Sequence, residues 1–409
     1  MRLGFTVLGY FNPKIRSGLM MRAPDKHGVD PWLNCQKGLR PIWIHCASGE
    51  FEYAKPVITR LKEVSPSTPI LVTYFSPSIV SAVKKFPGID FSCPLPWETP
   101  RALIQFINWH QPQALLIART DTWPEMLRQA KRHHLPTLLF SATLPRNSGR
   151  ARGLGRLHSR VTFQFLDHIM CVSTADKEVF SGLGVGERAE VAGDTRYDQV
   201  QARLRAPKPL KEEMFTSNSC PLLVAGSTWP EDEAVLIEVA SQMRNQVRFV
   251  LVPHEPTPEH LADLQNKLQN RGLKSVRYSQ ADAWPDDSVL LVDQMGILAE
   301  LYIKGAFAFV GGSYRKTVHS VMEPLAAGCL TFVGPLHHNN REALEFKALG
   351  GVIEAQNAAE FVTLLTEKLA AAHKSGDENA MPQMLFREIS RRSGGSERVV
   401  KWCIERLSR

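Results

Sequence analysis

The run Ile42-Trp43-Ile44-His45-Cys46-Ala47-Ser48-Gly49-Glu50 puts a carboxylate where a short apolar stretch gives way to a small-residue turn. The apolar stretch reads as a strand, and the amphipathic residues after Glu50 read as a helix. Glu50 then stands at the positive end of a helix dipole, which favours its ionised form. A carboxylate held there is suited to take a proton from an incoming sugar hydroxyl as a general base. The same placement also describes a residue that only complements the dipole, and the segment alone leaves both readings open.

Four further junctions in the second half carry groups suited to a nucleotide. Gly226-Ser227-Thr228 follow the apolar run Leu222–Ala225 and precede Pro230 and a cluster of acids. Their hydroxyls and backbone N–H groups suit an anion, although an ordinary helix cap has the same composition. Pro253-His254-Glu255 end the run Arg248–Val252, and His254 suits either a phosphate or base edge or a capping role. Asp293-Gln294-Met295-Gly296 lead into Gly296, Ile297 and Leu298, whose amides suit a nucleotide as well as a tight turn. Val310-Gly311-Gly312-Ser313 is followed by His319-Ser320-Val321-Met322-Glu323-Pro324. Glycines let a backbone approach a ligand closely, and Glu323 at a helix start can accept from two ribose hydroxyls. This last combination favours function over a structural turn.

The elements that must hold these groups alternate between short apolar runs and amphipathic stretches, the pattern of βα units on parallel sheets. Strands are expected at Pro41–His45, Ile70–Thr73, Ala114–Ala118, Thr137–Phe140 and His168–Val172. After a polar linker near Gly193 to Pro209, six more follow at Leu222–Ala225, Arg248–Val252, Val289–Val292, Ala306–Val310, Thr331–Val333 and Gly351–Ile353. Helices are expected at Glu50–Val64, Pro100–Asn108, Glu231–Gln242, Pro258–Arg271, Gly296–Ile303, Val321–Ala327 and Ala358–His373, with one amphipathic segment from Gln383 to Leu407. The expected fold class is α/β, with two doubly wound Rossmann-like domains facing across a cleft. Their bounds are 1–200 and 201–385, with a terminal helix, 386–409, crossing back to the first domain.

The chain has 409 residues and 44% hydrophobic content, enough for two ordinary cores. Seven scattered cysteines without a CxxC pair indicate neither a zinc site nor a disulfide framework and fit a reducing, cytoplasmic compartment. The N-terminal run Leu3 to Phe11 is too short to span a bilayer and lacks a cleavage signature, so secretion is not expected. Net charge is +8, and arginines concentrate in Arg146 to Arg160. That region suits an anionic surface or a phosphorylated substrate, or is simply a solvated face. Without interleaved aromatics or a recognition motif, nucleic acid is not an expected partner.

The motifs in order resemble the 3-deoxy-D-manno-octulosonic acid (Kdo) transferases of lipopolysaccharide synthesis. They are HCASGEFE at His45–Glu52, DTWPE at Asp121–Glu125, AGDTRYD at Ala192–Asp198 and AGSTWPEDE at Ala225–Glu233. VPHE at Val252–Glu255, FVGGS at Phe309–Ser313, HSVMEP at His319–Pro324 and Gly334-Pro335 complete the series. The resemblance implies a GT-B glycosyltransferase fold, CMP-Kdo as donor and a phosphorylated, acylated glucosamine disaccharide (a lipid A precursor) as acceptor. It implies no metal or other cofactor, and a peripheral place on the anionic cytoplasmic face of the inner membrane. Glu50 becomes the general base and Asp121 a second catalytic acid. The donor contacts it implies are Ser227, Thr228, Pro253, His254, Gly296, Ile297, Leu298, Ser313, Ser320, Val321, Met322 and Glu323. Ser48, Gly49, Arg119 and Arg196 fall to the acceptor.

Four departures from the family pattern bear on that reading. Gly49 follows Ser48 directly where the family has an intervening residue, which affects the placement of Glu50. Of the family's acidic pair before Trp-Pro, the first position is Arg119, suited to an acceptor phosphate or a packed ion pair. A family His-Asn reads His319-Ser320, and the N-terminal membrane anchor is reduced to a marginal segment. Met1 to Arg22 and the basic region are therefore expected to lie on a membrane rather than cross it. The alternatives are a related nucleotide-sugar enzyme with another donor, an epimerase, or a noncatalytic sugar-nucleotide or lipid-binding relative.

Overall fold

A computed structural model describes residues 13–22, 30–34, 37–216, 220–375 and 380–407. The chain divides into two compact units, Met1–Gln199 with Arg392–Arg409 and Val200–Arg391. Each is built on a seven-stranded parallel sheet.

In the first unit the strands are β1 (Ile42–His45), β2 (Ile70–Tyr74), β3 (Phe91–Pro94), β4 (Ala114–Ala118), β5 (Thr137–Ala142), β6 (His168–Cys171) and β7 (Ala189–Val191). Their order is β3-β2-β1-β4-β5-β6-β7. The chain leaves β1 toward one edge and later returns to lay β4 on its other side. The C-terminal ends of β1 and β4 are thus the topological switch point, where open α/β sheets bind ligands. Glu50 follows β1 and Asp121 follows β4.

In the second unit the strands are β8 (Leu222–Thr228), β9 (Arg248–Pro253), β10 (Lys274–Arg277), β11 (Ser288–Leu291), β12 (Phe307–Val310), β13 (Leu330–Val333) and β14 (Val352–Glu354). The order β10-β11-β9-β8-β12-β13-β14 puts its switch point between β8 and β12. Ser227 lies at the end of β8, and the glycine pair Gly311-Gly312 follows β12.

Both sheets are covered by helices on both faces, so the central strands are buried throughout and read as unbroken apolar runs. The sequence reading missed β3, β7 and β10. All three are edge strands, β3 and β7 buried over part of their length and β10 at no residue, which weakens the apolar signal.

One sequence expectation is corrected. The segment Gln383 to Leu407 is not one helix but two, Ala380–Arg392 and Gly395–Leu407. Gly394 breaks it by adopting φ +93°, a left-handed conformation open to glycine. The Asp198 carboxylate then accepts from the backbone of Gly394 and from both the amide and the hydroxyl of Ser396 at 2.7 Å, starting the new helix. The polar stretch 193–209 contains the break between the two units, at Gln199 and Val200, and is folded there as the helix Thr195–Arg205.

Helix Gly395–Leu407 packs Val399, Val400, Trp402 and Cys403 against Ala54, Val57, Ile58 and Leu61 of helix Phe51–Val64. The last residues therefore hold the helix that Glu50 begins. Trp402→Ala is expected to cost the first unit about 3–5 kcal/mol, measured by urea unfolding.

Candidate active site

Glu50 occupies the N-cap position of helix Phe51–Val64. Its carboxylate folds back onto the turn and accepts the Ser48 amide at 2.9 Å. Among the described residues no cation pairs with it. A Cβ built at exposed Gly49 meets nothing within 4 Å, so the space above the turn is open. Ser48 is half-buried, its hydroxyl 3.5 Å from that of Ser78. Cys46, immediately before this turn, is fully buried, and burial together with Glu50 and Asp121 pushes its thiol well above the usual range. It stays protonated, which leaves the chemistry of the turn to carboxylate.

Asp121 is tied from below by a chain of buried polar groups. The Trp43 indole donates to the Thr73 hydroxyl at 2.8 Å, and that hydroxyl lies 3.0 Å from His45 Nδ1. His45 Nε2 stands 3.5 Å from the Asp121 carboxylate, which also accepts from the Trp123 indole at 3.3 Å. Burial would raise the Asp121 pKa, but His45, Trp123 and the Arg150 charge together hold it below the ordinary carboxylate value. His45 was not among the site residues inferred from sequence. Its signals were a histidine closing an otherwise apolar strand and its place at the head of HCASGEFE.

The Arg119 and Arg196 guanidiniums lie 5.6 Å and 4.3 Å from the centre of the Tyr53 ring, in the first turn of the same helix. Arg119 is exposed and adopts φ +66°, a rare conformation for a side-chain-bearing residue. Arg196 also pairs with buried Asp194 at 2.6 Å. Arg22, missed from sequence, is buried against the Phe75 ring at 3.9 Å. Burial lowers its pKa to about 10 against the opposing pull of Asp121.

In the second unit, consecutive buried acids on helix Pro230–Met243 draw three strand-end loops together. Asp232 accepts the amides of Gly312 at 2.7 Å, Tyr314 at 3.0 Å and Trp229 at 3.0 Å. Glu233 accepts the Thr228 hydroxyl at 3.0 Å and faces His260 Nε2 at 2.9 Å. Ser227 adopts φ +55°, and a Cβ at Gly311 would collide with its carbonyl, so this crossing of the β8 and β12 loops requires glycine.

Above these ties lies a stack of rings. His254, after Pro253 at the end of β9, stacks on Trp229 at 4.6 Å and on His319 at 4.6 Å. The Trp229 indole donates to His319 Nε2 at 3.0 Å, and the Arg315 guanidinium covers the Trp229 ring at 4.0 Å. An indole only donates, so His319 Nε2 is bare and its ring neutral. Burial and the neighbouring His254 lower the His319 pKa in agreement.

A second group forms around Arg203, which pairs with Glu323 at 3.1 Å, with buried Glu300 at 3.3 Å and with the Gly296 carbonyl at 3.2 Å. Lys208 Nζ donates to the same carbonyl at 2.9 Å. Neither cation was singled out from sequence, because their partners lie about 90 to 120 residues away.

Several residues expected at the donor site turn their side chains inward. Thr228 and Ser313 are fully buried, Ser313 donating to the Val310 carbonyl and accepting the Gly334 amide. Ile297, Val321 and Met322 are buried apolar residues, and Leu298 is partly buried. Exposed Ser320 accepts the Met322 amide at 3.4 Å. Protonating His319 would remove the acceptor for Trp229. The stability carried by neutral His319 is full above about pH 6.5 and lost as pH falls through its lowered pKa. Trp229 emission and the unfolding midpoint should shift below that pH, and His319→Gln should remove that part of the dependence.

Residues 16–199 match the family model described as 3-Deoxy-D-manno-octulosonic-acid transferase (kdotransferase). The chain is 28% identical over 344 residues to the 3-deoxy-D-manno-octulosonic acid transferase of Aquifex aeolicus, covering 82% of this chain and 87% of that protein. It is 26% identical over 341 residues to the Haemophilus influenzae enzyme of the same name, covering 82% and 80%. Among solved structures it is similar to UDP-GlcNAc 2-epimerase from Neisseria meningitidis, with a TM-score of 0.61 at 14% identity over 89% of this chain and 99% of that one. A glycosyltransferase from Rickettsia africae gives a TM-score of 0.52 at 11% identity over 90% and 99%. At such identities the structural likeness shows the fold alone, an α/β fold of the GT-B class. With the matches in sequence, residues 16–199 carry a Kdo transferase domain, and the chain is similar to Kdo transferases over about four-fifths of its length.

Proposed function

We propose that the chain transfers Kdo from CMP-Kdo to a phosphorylated, acylated glucosamine disaccharide, a lipid A precursor, with inversion at the anomeric carbon. The observation that carries this reading is the setting of Glu50: a carboxylate at a helix N-cap, at the switch point, held by one amide under open space. Glu50 takes the proton of an acceptor hydroxyl as its oxygen forms the bond to the anomeric carbon. The bond from that carbon to the phosphate oxygen breaks, and CMP leaves with the electron pair. Asp121 stays ionised through the His45 and Trp123 contacts and orders the polar floor beside this turn. Exposed Arg119 is suited to an acceptor phosphate, with Ser48, Gly49 and Arg196 completing the acceptor side.

On the donor side, exposed Gly296 and Ser320, half-buried Ser227 and the side chains of His254 and Glu323 offer contacts for CMP. Buried Thr228, Ser313, Val321 and Met322 contribute by shaping the loops. Strand-end amides of this kind stabilise the charge that develops on a departing phosphate.

The helix Gly153–Phe163 supports a membrane-bound acceptor. It exposes Leu154, Leu157 and Val161 at i, i+3 and i+7, beside Arg152, Arg156 and Arg160. This apolar row with a cationic flank suits an anionic bilayer surface. Among the described residues no helix is long and apolar enough to cross a membrane, and most of the N-terminal segment, residues 1–12, lies outside them.

The test uses CMP-Kdo generated in situ with a tetraacylated lipid A precursor. Glu50→Gln is expected to lower transfer by about 10²–10⁴-fold while retaining donor binding. Equal activity in both proteins removes Glu50 as the base, and donor binding without wild-type transfer points to a noncatalytic relative. Leu157→Asp is expected to weaken sedimentation with vesicles containing phosphatidylglycerol and leave the unfolding midpoint unchanged.

A further inference from the structure

His260 lies in the first turn of helix Pro258–Asn270, outside every motif that marks the chain chemically. Its ring bridges two elements. Nδ1 lies 3.0 Å from the carbonyl oxygen of Glu255, in the loop after β9. Nε2 lies 2.9 Å from Oε2 of Glu233, on helix Pro230–Met243. A carbonyl oxygen only accepts, so Nδ1 carries a proton in any state that keeps the first contact. Oε1 of Glu233 already accepts from the Thr228 hydroxyl at 3.0 Å. An ionised Glu233 likewise only accepts, so Nε2 must carry a proton too.

We propose that His260 is a positioning residue, protonated on both ring nitrogens, that clamps the Pro253–Glu255 loop to Glu233 and through it to Thr228. The clamp spans the ends of β8 and β9, where the His254 amide also donates to the Thr228 carbonyl at 2.9 Å. It fixes the loop from which His254 enters the ring stack with Trp229 and His319. The charged groups facing the ring are Glu233, across from it, and Asp263 on its own helix, with the Glu255 carbonyl on the third side. Burial opposes the charge on His260, but these acceptors outweigh it and raise its pKa above the ordinary value. The clamp is therefore complete below about pH 6.5 and is released as pH rises through that raised value. Only its consequence for CMP rests on the donor-site reading given above.

The test uses the full chain labelled with 15N-histidine, the His260 ring assigned by its loss in His260→Ala. At pH 7 both ring nitrogens should be protonated, and Glu233→Gln should move the titration midpoint down by about one unit. Hydrogen exchange at the His254 amide, corrected for intrinsic rate, should quicken about tenfold as pH crosses that midpoint, and His260→Ala should abolish the step. A bare ring nitrogen at pH 7, a midpoint unmoved in Glu233→Gln, or a step that persists in His260→Ala overturns the proposal. CMP affinity should weaken across the same midpoint in the wild type, and an affinity that does not follow it overturns the positioning role. Absence of CMP binding at every pH overturns the donor-site reading instead, and the ring and amide results still decide the clamp.

Discussion

The geometry of the second unit depends on the burial of one carboxylate. Asp232 is fully buried and collects amides from the loops after β8 and β12, which meet only because Gly311 has no side chain. Burial pushes the Asp232 pKa up, while the amides of Gly312, Tyr314 and Trp229 oppose the shift. Each hydrogen bond to an ionised group contributes about 1.5–3 kcal/mol, and removing the acceptor would leave several donors without partners. A glycine turn is otherwise loose, because its backbone has the largest conformational freedom to lose. The carboxylate makes such a turn rigid enough to present amides in fixed directions, and the ring stack rests on the same anchored loop.

The first unit repeats the device with different residues. Asp198 starts the returning terminal helix, buried Asp176 accepts the Leu144 amide at 3.0 Å, and Glu98 accepts the Glu125 amide at 2.8 Å. A parallel sheet ends its strands along one edge, so the connecting loops share that edge without sheet hydrogen bonds of their own. Short acids that gather amides from separate loops meet the requirement that buried N–H groups be paired. This accounts for acids at many junctions of the chain whose side chains are closed to a ligand.

The central strands were legible because burial on both faces makes them continuous apolar runs, and their ends agree with the structure to within a few residues. Of the edge strands only β14 was, since Lys274–Arg277 and Ala189–Val191 carry an exposed Lys274 and Glu190 that break the run. The resemblance to Kdo transferases and the switch-point loops were legible from ordered motifs. The direction of each side chain was not. Thr228 read as a hydroxyl for an anion and Ser313 as a donor contact, yet both are fully buried and complete the internal hydrogen bonding of their loops. Hydroxyl-rich turns have the same composition whether they face in or out, and only the partner distinguishes them. Residues 1–12, read as a surface segment, lie outside the described part of the chain.

That inward turn narrows where side-chain chemistry can occur. With Thr228, Ser313, Val321 and Met322 buried, a ligand at the second unit's switch point would meet mostly backbone, the His254–His319 rings and Glu323. Backbone amides favour negative charge without introducing an ionisable group, which suits a leaving phosphate more than proton transfer. In the first unit, two carboxylates stand at the switch point: Glu50 with the Ser48 amide, and Asp121 with His45 and Trp123. Two carboxylates near one turn are thereby held differently. Asp121 is committed to its partners and kept ionised below the ordinary range. Among the described residues no cation pairs with Glu50, so its carboxylate is held by the Ser48 amide alone, the looser of the two arrangements.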